Sequence, residues 1–561
     1  MEEFEAGSKR VKRTETTEKT MYNSKEFSEK ERDKLKIAPI GGKLKKTKKR
    51  DIKDGIKSAN YKYKNAKEED EQASEQIKEL KRYYNQLRVK KGDLKPNKEQ
   101  KEELINNWLQ ILGDEYKKFA FKHDSCRVMQ SMLKHGNAEQ RKTVIGKLLD
   151  IFGELITSKY SHHLAYRIVQ YCTDEEQKKK IISLILNKIG VLIMHSYASD
   201  VVELLYSNAT ISEKKLLVKG FYGKYFIILQ ENKGKSLRNI LKEKPTLREE
   251  FWGKLEELVH KLIDKGLMRH TIVQAIIYDY IFICSEEQQE EILNLLVDHF
   301  PSLLGSKPGL KVACGLFAIA SSKERRTIVK TIKPLVNEMA VNPISSLFLA
   351  YICLTLDDTV LSKKTIMNPL VKIYEDIKDN KFSMILYSLL LSGIEHPIRN
   401  VITKSKMKWL FFNYLKTTSK KDEVVRRKEI NVNLVDEICN QAEKNLVEEL
   451  VSNRPFVITS LIYYWVEQNE WEEFLESLYR WLQKEITSFN DGKKIPVIAH
   501  SSVHRLMKEM MVYEINMKRE NPQRSIPFTE SIATILKKDI ETHLVERSVF
   551  LLGMYINLIN I

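Results

Sequence analysis

The run KHDSCRVMQ, residues 122–130, decides how the rest of this 561-residue sequence is interpreted. Its apolar residues recur at helical spacing, which predicts a helix with one buried face. Cys126, Arg127 and Gln130 lie on one side of that helix, because positions i, i+1 and i+4 share a face. A small residue and an amide that meet a base edge, with a guanidinium that stacks on the base, suit contact with one unpaired nucleotide. The alternative is an ordinary amphipathic helix with a surface arginine.

The same arrangement returns twice at a nearly constant interval. KYSHHLAY, residues 159–166, follows about 36 residues later, and HSYASDVVE, residues 195–203, follows about 37 residues after that. Each run is followed by a polar turn and a second helical pattern, beginning near 138, 174 and 212. A helix–turn–helix unit with this period predicts an α-solenoid, in which stacked repeats bury a continuous core. HEAT and tetratricopeptide arrays satisfy the same periodicity.

Composition agrees with an all-α chain and favours polyanionic partners. Apolar residues make up 42% of the sequence, enough for a large buried core, and Gly (21) and Pro (13) are scarce. The formal net charge of +18 favours nucleic acid first and an acidic membrane surface second. A soluble basic protein without such a partner is the alternative. No run of about 18 apolar residues is present, so we expect no membrane span and no membrane partner.

The remaining sequence signals argue against secretion, metal binding and catalysis. Six cysteines are scattered without a CxxC pair or a cysteine–histidine cluster, which indicates reduced thiols in a cytosolic or nuclear compartment. The charged start, MEEFEAGSKR, is not a secretory signal. P-loop, zincin and nucleophile-elbow signatures are absent from the sequence, and adjacent His162 and His163 lack metal-ligand spacing. We therefore expect no enzyme and no cofactor, and interpret Asp357-Asp358 as a helix cap.

Residues 1–95 differ from the rest of the chain. The first 100 residues carry 29 Lys/Arg against 19 Asp/Glu, a net charge of +10, and few apolar residues before Leu80. This composition predicts a basic, largely disordered arm with non-specific phosphate contact, and a solvated linker is the alternative. A basic helix is expected from Ile77 to Lys91. The residues expected to act in nuclear targeting are Lys43, Lys45, Lys46, Lys48, Lys49 and Arg50.

Taken in order, the motifs resemble the nucleolar pumilio-like proteins of the Puf-A type, a PUF-repeat family distinct from the pumilios that read mRNA. Phe119–Gln130 resembles that family's first repeat, and Lys420–Glu429 resembles a charged run that the mRNA-reading pumilios lack. The shared order of the motifs, over roughly residues 80–561, carries the resemblance. The other matching runs are Phe221–Gly223 and Lys235–Leu237, where the family has a longer segment between repeats, Gly309–Cys314, Ser322–Lys333, Asn342–Leu349, Leu356–Thr359, His500–Leu506 and Glu546–Leu552.

The resemblance implies an all-α fold: a curved, L-shaped α-solenoid of about eleven PUF-type helical repeats, preceded by the disordered basic arm. We divide the chain into the arm (1–95), N-terminal PUF repeats (96–210) and C-terminal PUF-like repeats (211–561). The last part includes a family-specific region at about 420–545.

The resemblance also implies a function. We expect a nucleolar or nuclear protein that binds structured RNA with low sequence specificity in large-subunit ribosome biogenesis. Its expected partners are pre-ribosomal RNA first, mRNA second, pre-ribosomal particle proteins and, non-specifically, DNA. Some relatives repress translation of particular mRNAs, so a sequence-specific mRNA repressor is an alternative. A HEAT-like protein-interaction scaffold is another.

The expected RNA contacts are the face-sharing positions of each repeat and the nearby cations. Cys126 and Gln130 around Arg127 suit an adenine, whereas in the third repeat Asp200 stands where a stacking side chain belongs. A later inner helix is placed over Met268–Gln274. At most one or two repeats therefore read a base, and phosphate contact supplies the affinity. The expected RNA-binding residues are Lys122, Cys126, Arg127, Gln130, Lys134, His162, His163, Tyr166, Arg167, Ser199, Glu203, Arg269, His270 and Lys311.

Overall fold

The computed structural model describes residues 75–89, 96–223, 237–393, 420–451, 455–468, 485–487, 494–496 and 501–520. The chain divides into two units, residues 1–75 and 76–561, and the description below concerns the larger one. Nearly all of the described residues are helical, so the all-α prediction is confirmed. The exception is an antiparallel pair of short strands, β1 (Glu485–Thr487) and β2 (Lys494–Pro496). No described helix has the length and apolar character needed to cross a membrane.

The helices follow the repeating order that the 36-residue period predicts: a short helix or turn, an inner helix, then an outer helix. Helices α1 (75–87) and α2 (Lys98–Leu112) precede the first complete unit. The first three units are α3–α4–α5 (Tyr116–Ala120, His123–His135, Ala138–Leu148), α6–α7–α8 (Phe152–Leu155, His162–Tyr171, Glu175–Leu186) and α9–α10–α11 (Ile189–Leu192, Ala198–Ser207, Ile211–Lys219).

The order then resumes after α12 (Leu237–Glu243) and α13 (Arg248–Asp264). The next units are α14–α15 (Thr271–Ile283, Glu286–Leu296), α16–α17–α18 (Phe300–Leu303, Lys307–Ile319, Ser322–Ile332) and α19–α20 (Val336–Ala340, Ser345–Thr355), the last followed by α21 (Thr359–Ser362), a π-helical turn (Lys363–Met367) and α22 (Asn368–Ile377). The remaining helices are α23 (Lys381–Ser392), α24 (Glu423–Val451), α25 (Pro455–Gln468) and α26 (Ser501–Glu520).

Outer helices start with a repeated capping arrangement. In α5 the Asn137 side chain accepts the Gln140 N–H at 2.9 Å, and the Gln140 side chain accepts the Asn137 N–H at 3.0 Å. This capping box satisfies two backbone donors that the first turn of a helix leaves unpaired. Helices α11, α15 and α18 begin in the same way. Asp358 likewise accepts the Leu361 N–H at 3.0 Å, which confirms the helix-cap interpretation of this acidic turn.

Outer-helix arginines also cap the ends of the inner helices. Arg141 donates to two carbonyls at the end of α4, at 2.8 and 3.2 Å. Arg325, at the equivalent place in α18, donates to the carbonyls of Phe317 and Ala318 at 3.1 and 2.8 Å. These carbonyls belong to the last turn of a helix and have no partner within it. Each arginine therefore ties an outer helix to the inner helix of its own repeat.

Neighbouring inner helices pack side by side through the array. Helix α4 packs on α7, α7 on α10, α14 on α17, α17 on α20 and α20 on α23. One hydrophobic cluster extends from Leu80 to Met511 along these contacts. Stacked repeats that bury a shared core define a solenoid, so this prediction is confirmed for the described ranges. The curvature and the count of eleven repeats stay predictions.

The stacking order is interrupted between α10 and α14. These helices pack on each other, and Glu203 of α10 accepts the N–H of Ile272 at 3.2 Å. The two residues are 69 positions apart, nearly twice the repeat length, because α11, α12 and α13 lie between them in the chain. The interruption falls where the family resemblance predicts a longer segment between repeats.

The basic arm ends earlier than predicted. Helix α1 confirms the basic helix expected from Ile77, but Leu80 and Leu87 in it are buried within the hydrophobic cluster. Two leucines seven residues apart occupy one helical face, which is enough to dock the helix on its neighbours. The boundary placed at residue 95 therefore moves to about residue 75. The predicted nuclear-targeting cations at 43–50 lie outside the described residues.

Helix α24 lies in the charged run of the predicted family-specific region, and its side chains cap the C-terminal ends of two inner helices. Arg426, which is 2% exposed, donates to the carbonyl of Leu354 at the end of α20. Arg427 and Asn431, also buried, donate to carbonyls at the end of α23. Charged and amide donors on buried helix ends satisfy carbonyls that water does not reach. The arginines in this charged run are therefore structural residues.

Candidate nucleic-acid interface

Except in α10, the backbone N–H that closes each described inner helix fixes the register between repeats. The residues ten, nine and six positions before it are equivalent, and we call them the base-contact positions. In α4 they are Cys126, Arg127 and Gln130, and in α7 they are His162, His163 and Tyr166, as the sequence predicts. The closing residues, which donate their N–H to the carbonyl four residues back, are Gly136, Cys172, Cys284, Ala320, Leu356 and Gly393.

In the first repeat the guanidinium of Arg127 is accessible to a ligand, whereas the side chain of Cys126 is not. Arg127 is exposed, and no hydrogen bond or ion pair with the described residues engages it. Gln130 is half-buried, and Lys134 is exposed further along the same face. Cys126 is only 1% exposed, and its thiol donates to the Tyr160 carbonyl at 3.7 Å. The prediction that Cys126 meets a base edge is therefore wrong in this structure.

The thiol of Cys126 is also unreactive. Burial raises the pKa of the Cys126 thiol, so it stays protonated at neutral pH. The Gln130 amide donates to its sulfur at 3.5 Å. One N–H of the Gln130 amide is therefore used in a hydrogen bond within the repeat. The remaining predicted cation of this repeat, Lys122, is half-buried at the start of α4.

The second repeat presents stacked imidazoles and an arginine. His163 is exposed, and its ring centre lies 3.9 Å from that of His162. His162 is half-buried, with its Nδ1 at 3.0 Å from the Ser158 carbonyl. Burial lowers the pKa of His163, and the neighbouring His162 and Arg167 lower it further. The His163 imidazole is therefore neutral at pH 7 and offers a ring face, with Tyr166 and Arg167 half-buried beside it.

The third repeat uses its predicted contact residues to hold α14. Asp200 accepts from the Arg269 guanidinium at 3.1 Å, and Glu203 accepts the Ile272 N–H at 3.2 Å. Ser199 is 4% exposed and cannot reach a ligand. The RNA-contact predictions for Ser199, Glu203 and Arg269 are therefore replaced by a structural role at the α10–α14 junction.

The register predicted around residue 270 is wrong. Arg269 belongs to a 3₁₀ turn and His270 is the N-cap of α14, only 2% exposed. The base-contact positions of α14 are instead Gln274, Ala275 and Tyr278. Gln274 is buried and donates to two carbonyls, at 2.7 and 2.9 Å. Neither His270 nor Gln274 is available to a base.

Later inner helices bury most of their base-contact positions. Lys311 of α17 is half-buried, with its ammonium 5.0 Å from the Tyr278 ring centre. Every residue of α20 is buried. Helices without accessible polar groups on this face cannot discriminate bases. The other base-contact residues of α17, α20 and α23 that are buried are Leu310, Cys314, Ser346, Leu347, Ala350, Ser383 and Tyr387.

A row of rings at the start of the inner helices was missed from the sequence. Tyr160 is 46% exposed, meets the His123 ring edge-on at 5.4 Å and has the Lys159 ammonium 5.4 Å from its ring centre. Tyr197, 37 residues later, stacks on His162 at 4.9 Å. The sequence signal for this row is the recurrence of tyrosine at the repeat period, at Tyr160 and Tyr197. Exposed rings and cations together suit the stacking of unpaired bases.

Charge on the inner-helix face changes sign along the array. On α4, His123, Arg127 and Lys134 are exposed, and Lys159 and Arg167 continue the basic strip in the second repeat. On α10 the equivalent surface carries Asp200 and Glu203 instead. The described residues contain no group of three His, Cys, Asp or Glu side chains able to hold a metal ion. The basic strip of repeats one and two is therefore the candidate interface, and it suits a polyanion.

Comparisons with known proteins agree with this architecture. The model of the pumilio-family RNA binding repeat matches residues 125–149 and 152–186, and that of the CPL (NUC119) domain matches residues 411–523. A Saccharomyces cerevisiae protein, pumilio homology domain family member 6, is 28% identical over 357 residues, which are 63% of this chain. The match spans about half, 54%, of the yeast protein's length.

Two solved structures share the fold over most of their length. The crystal structure of human Puf-A has a TM-score of 0.68 at 21% identity and covers 86% of this chain and 93% of its own. Human Puf-A in complex with DNA has a TM-score of 0.65 at 22% identity, covering 82% and 88%. Fold and repeat matches define this protein as an α-solenoid of PUF repeats with a CPL domain. In fold and in these repeats the chain is similar to the pumilio-like proteins of the Puf-A type.

Proposed function

We propose that this protein binds RNA through phosphate contacts along the basic strip of repeats one and two, with little sequence preference. The observation that carries the proposal is the contrast within the inner-helix face. Arg127, Lys134 and Lys159 are accessible cations, whereas most positions that would identify a base are buried or occupied by internal hydrogen bonds. Phosphate contact supplies affinity without sequence information.

Several independent features support RNA as the ligand. The repeats that match the RNA-binding family model are the two that carry the basic strip. The structural relative has been crystallised with DNA, which fits backbone contact rather than base identity. The net charge of +18 acts in the same direction.

We further propose that the RNA is pre-ribosomal and that the protein acts in the nucleus or nucleolus during large-subunit assembly, together with pre-ribosomal particle proteins. This part rests on the Puf-A resemblance. A repressor that selects particular mRNAs is less well supported, because Cys126, Ser199 and Gln274 are buried at positions that such a protein needs for base edges. Crosslinking in cells tests it: reads spread over ribosomal RNA precursors support assembly, and reads on mRNAs with one shared motif contradict it.

The binding proposal is tested with the full chain and a matched pair of double variants. Arg127→Gln with Lys134→Gln removes two exposed cations from the inner face of α4. Lys323→Gln with Lys330→Gln removes two exposed cations from the outer helix α18 and is the control. Affinity for two unrelated labelled single-stranded RNAs is measured by fluorescence anisotropy at several salt concentrations.

We expect similar affinity for both RNAs and a strong salt dependence in the unmodified protein. Each lost phosphate contact lowers the slope of log affinity against log salt by about 0.7 for single strands, so the α4 variant should lose roughly 1.4. The control should keep the original slope. Equal slopes for the two variants, or a large preference for one RNA, would contradict the proposal.

A further inference from the structure

Histidines lie among the cations of the basic strip. His123 holds its Nδ1 3.0 Å from the Asp124 carboxylate, and His162 holds its Nδ1 3.0 Å from the Ser158 carbonyl. His163 is exposed at a base-contact position, and no hydrogen bond with any residue that the structure describes engages its ring nitrogens. An imidazole ordinarily titrates near pH 6.5. His163 is therefore a group of the strip whose charge can change close to neutral pH.

The surroundings of His163 favour its neutral form in the free protein. Burial lowers the pKa of His163, and the charges of His162 and Arg167 lower it further. The ring centre of His162 lies 3.9 Å away, and stacking on Tyr197 at 4.9 Å holds that ring in place. Arg167 donates to the neutral amide of Gln170, so its charge is not offset. The neighbours of His163 therefore oppose its protonation until a ligand changes their charge.

The carboxylates on the helices around α7 already have partners. Helices α4, α6 and α10 pack on α7. Their carboxylates, each with its partner, are Asp124 with Lys81 at 2.6 Å, Glu154 with Lys117 at 3.3 Å, Asp200 with Arg269 at 3.1 Å and Glu203 with the Ile272 N–H at 3.2 Å. The other titratable or charged groups on these helices, on α7 and on the turns before α7 and α10 are His123, Cys126, Arg127, Lys134, His135, Lys159, Tyr160, His162, Tyr166, Arg167, His195, Tyr197 and Tyr206. An added anion is therefore the group that would favour a charged His163.

RNA brings such an anion to this place. A phosphate beside Arg167 or Lys159 offsets the positive charge around His163 and adds negative charge of its own. We propose that RNA binding at the basic strip is coupled to the uptake of one proton by His163. The charged ring donates from both nitrogens and attracts phosphate, whereas the neutral ring has one N–H and a face for stacking. The proposal rests on the proposed function and adds a regulation of the same site, in which RNA is held more tightly as the pH falls.

The direction of the pH dependence follows from the two states of His163. Phosphate raises the pKa of His163 in the complex above its lowered value in the free protein, so between the two values the complex binds more protons. The added affinity is complete below both values, declines as the pH rises through the interval between them and is absent above it.

The test compares the unmodified full chain with two variants in which the charge at this position is fixed. His163→Gln is neutral and His163→Lys is charged at every pH used. His299→Gln changes a half-buried histidine in the 3₁₀ turn after α15 and is the control. Fluorescence anisotropy measures affinity for a short oligouridine from pH 5.5 to 7.5 at constant ionic strength. The RNA has a pH-insensitive label and no terminal phosphate, because uracil and phosphodiesters do not titrate in this range. Circular dichroism at each pH checks the fold.

We expect the affinity of the unmodified and control proteins to rise about fivefold from pH 7.5 to 5.5, within the limit of about tenfold per pH unit for one proton. Both fixed-charge variants should change by less than about twofold. His163→Gln should stay near the affinity of the unmodified protein at pH 7.5, and His163→Lys near its affinity at pH 5.5.

Three results would overturn the proposal while leaving the proposed function intact. One is an affinity of the unmodified protein that does not change with pH. Another is a rise in His163→Gln equal to that of the control, which would assign the proton to a different group. The third is equal affinity of the glutamine and lysine variants at pH 7.5, which would mean that charge at this position has no effect on RNA. The absence of RNA binding at every pH would refute both the proposed function and this proposal.

Discussion

Replacing Arg325 with alanine should destabilise the repeat hairpin α17–α18 by about 3 kcal/mol. Arg325 is 6% exposed, and its guanidinium donates to the carbonyls of Phe317 and Ala318 at 3.1 and 2.8 Å. A hydrogen bond from a charged group contributes about 1.5–3 kcal/mol, and alanine leaves both carbonyls at the end of α17 unpaired. Burial lowers the pKa of Arg325, so removing the buried charge offsets part of this loss and favours the lower end of the range.

The neighbouring arginine provides the control. Arg326 is exposed and pairs with Asp358 at 3.0 Å, an exposed interaction that contributes less than about 1 kcal/mol. Arg326→Ala removes the same atoms one residue along the same helix. Arg325→Lys keeps the charge but loses the planar fork that reaches two carbonyls, so its effect should fall between the two alanine variants.

Local hydrogen exchange is the appropriate assay, because a repeat array does not unfold in a single all-or-none transition. A loss of about 3 kcal/mol corresponds to a roughly 150-fold faster exchange of amides in the last turn of α17. Arg326→Ala should change these amides by less than about fivefold. If Arg325→Ala exchanges no faster at α17 than Arg326→Ala, the capping role assigned to Arg325 is refuted.

Two further predictions concern the α10–α14 junction. Glu203→Ala should speed hydrogen exchange at the start of α14, because the Glu203 carboxylate accepts the Ile272 N–H. Asp200→Ala breaks only an exposed ion pair and should lower local stability by less than about 1 kcal/mol. Equal effects of the two substitutions would contradict this assignment. Burial lowers the pKa of His270, against a smaller opposing effect of Glu203, so its contribution to stability is complete above about pH 6.5 and is lost as the pH falls below that value. His270→Gln should therefore flatten the decline in α14 protection between pH 7.5 and 5.5, after correction for intrinsic exchange, and an unchanged decline would refute it.

The repeat period predicts the first three inner helices from the sequence alone. Cys126, His162 and Ser199 fall at equivalent positions because each repeat reuses helices of similar length and outer helices with polar starts, such as Asn137 and Thr210. Periodicity fails at residue 270, since the chain between α10 and α14 adds nearly a second repeat length. A pattern search without that insertion places Arg269 on a helix face when it lies in a turn.

Burial explains the other errors at the candidate site. A small residue such as Cys126 or Ser199 satisfies a base-contact pattern equally well whether its side chain faces a ligand or the next repeat. The helical pattern does not reveal that the carbonyl of Tyr160, in the next repeat, lies where it accepts a hydrogen bond from the Cys126 thiol. The predicted boundary of the arm was inaccurate for a related reason. The low apolar content of this stretch obscures the fact that Leu80 and Leu87 lie on one helical face and are buried.

The junction between α10 and α14 has a consequence for how an RNA strand can follow the inner-helix face. Repeats one and two carry the basic strip, and α14 packs against α10 beyond it, so a strand that extends from the strip towards α14 must pass the acidic third repeat. Arg269 offsets the charge of Asp200, and the Glu203 carboxylate is turned to the Ile272 N–H. These interactions lower the repulsion that two free carboxylates would exert on phosphates. Arg269→Ala should therefore weaken the binding of an RNA long enough to extend from the basic strip past α10 more than the binding of a short one, and equal losses for the two lengths would mean that RNA does not pass the third repeat.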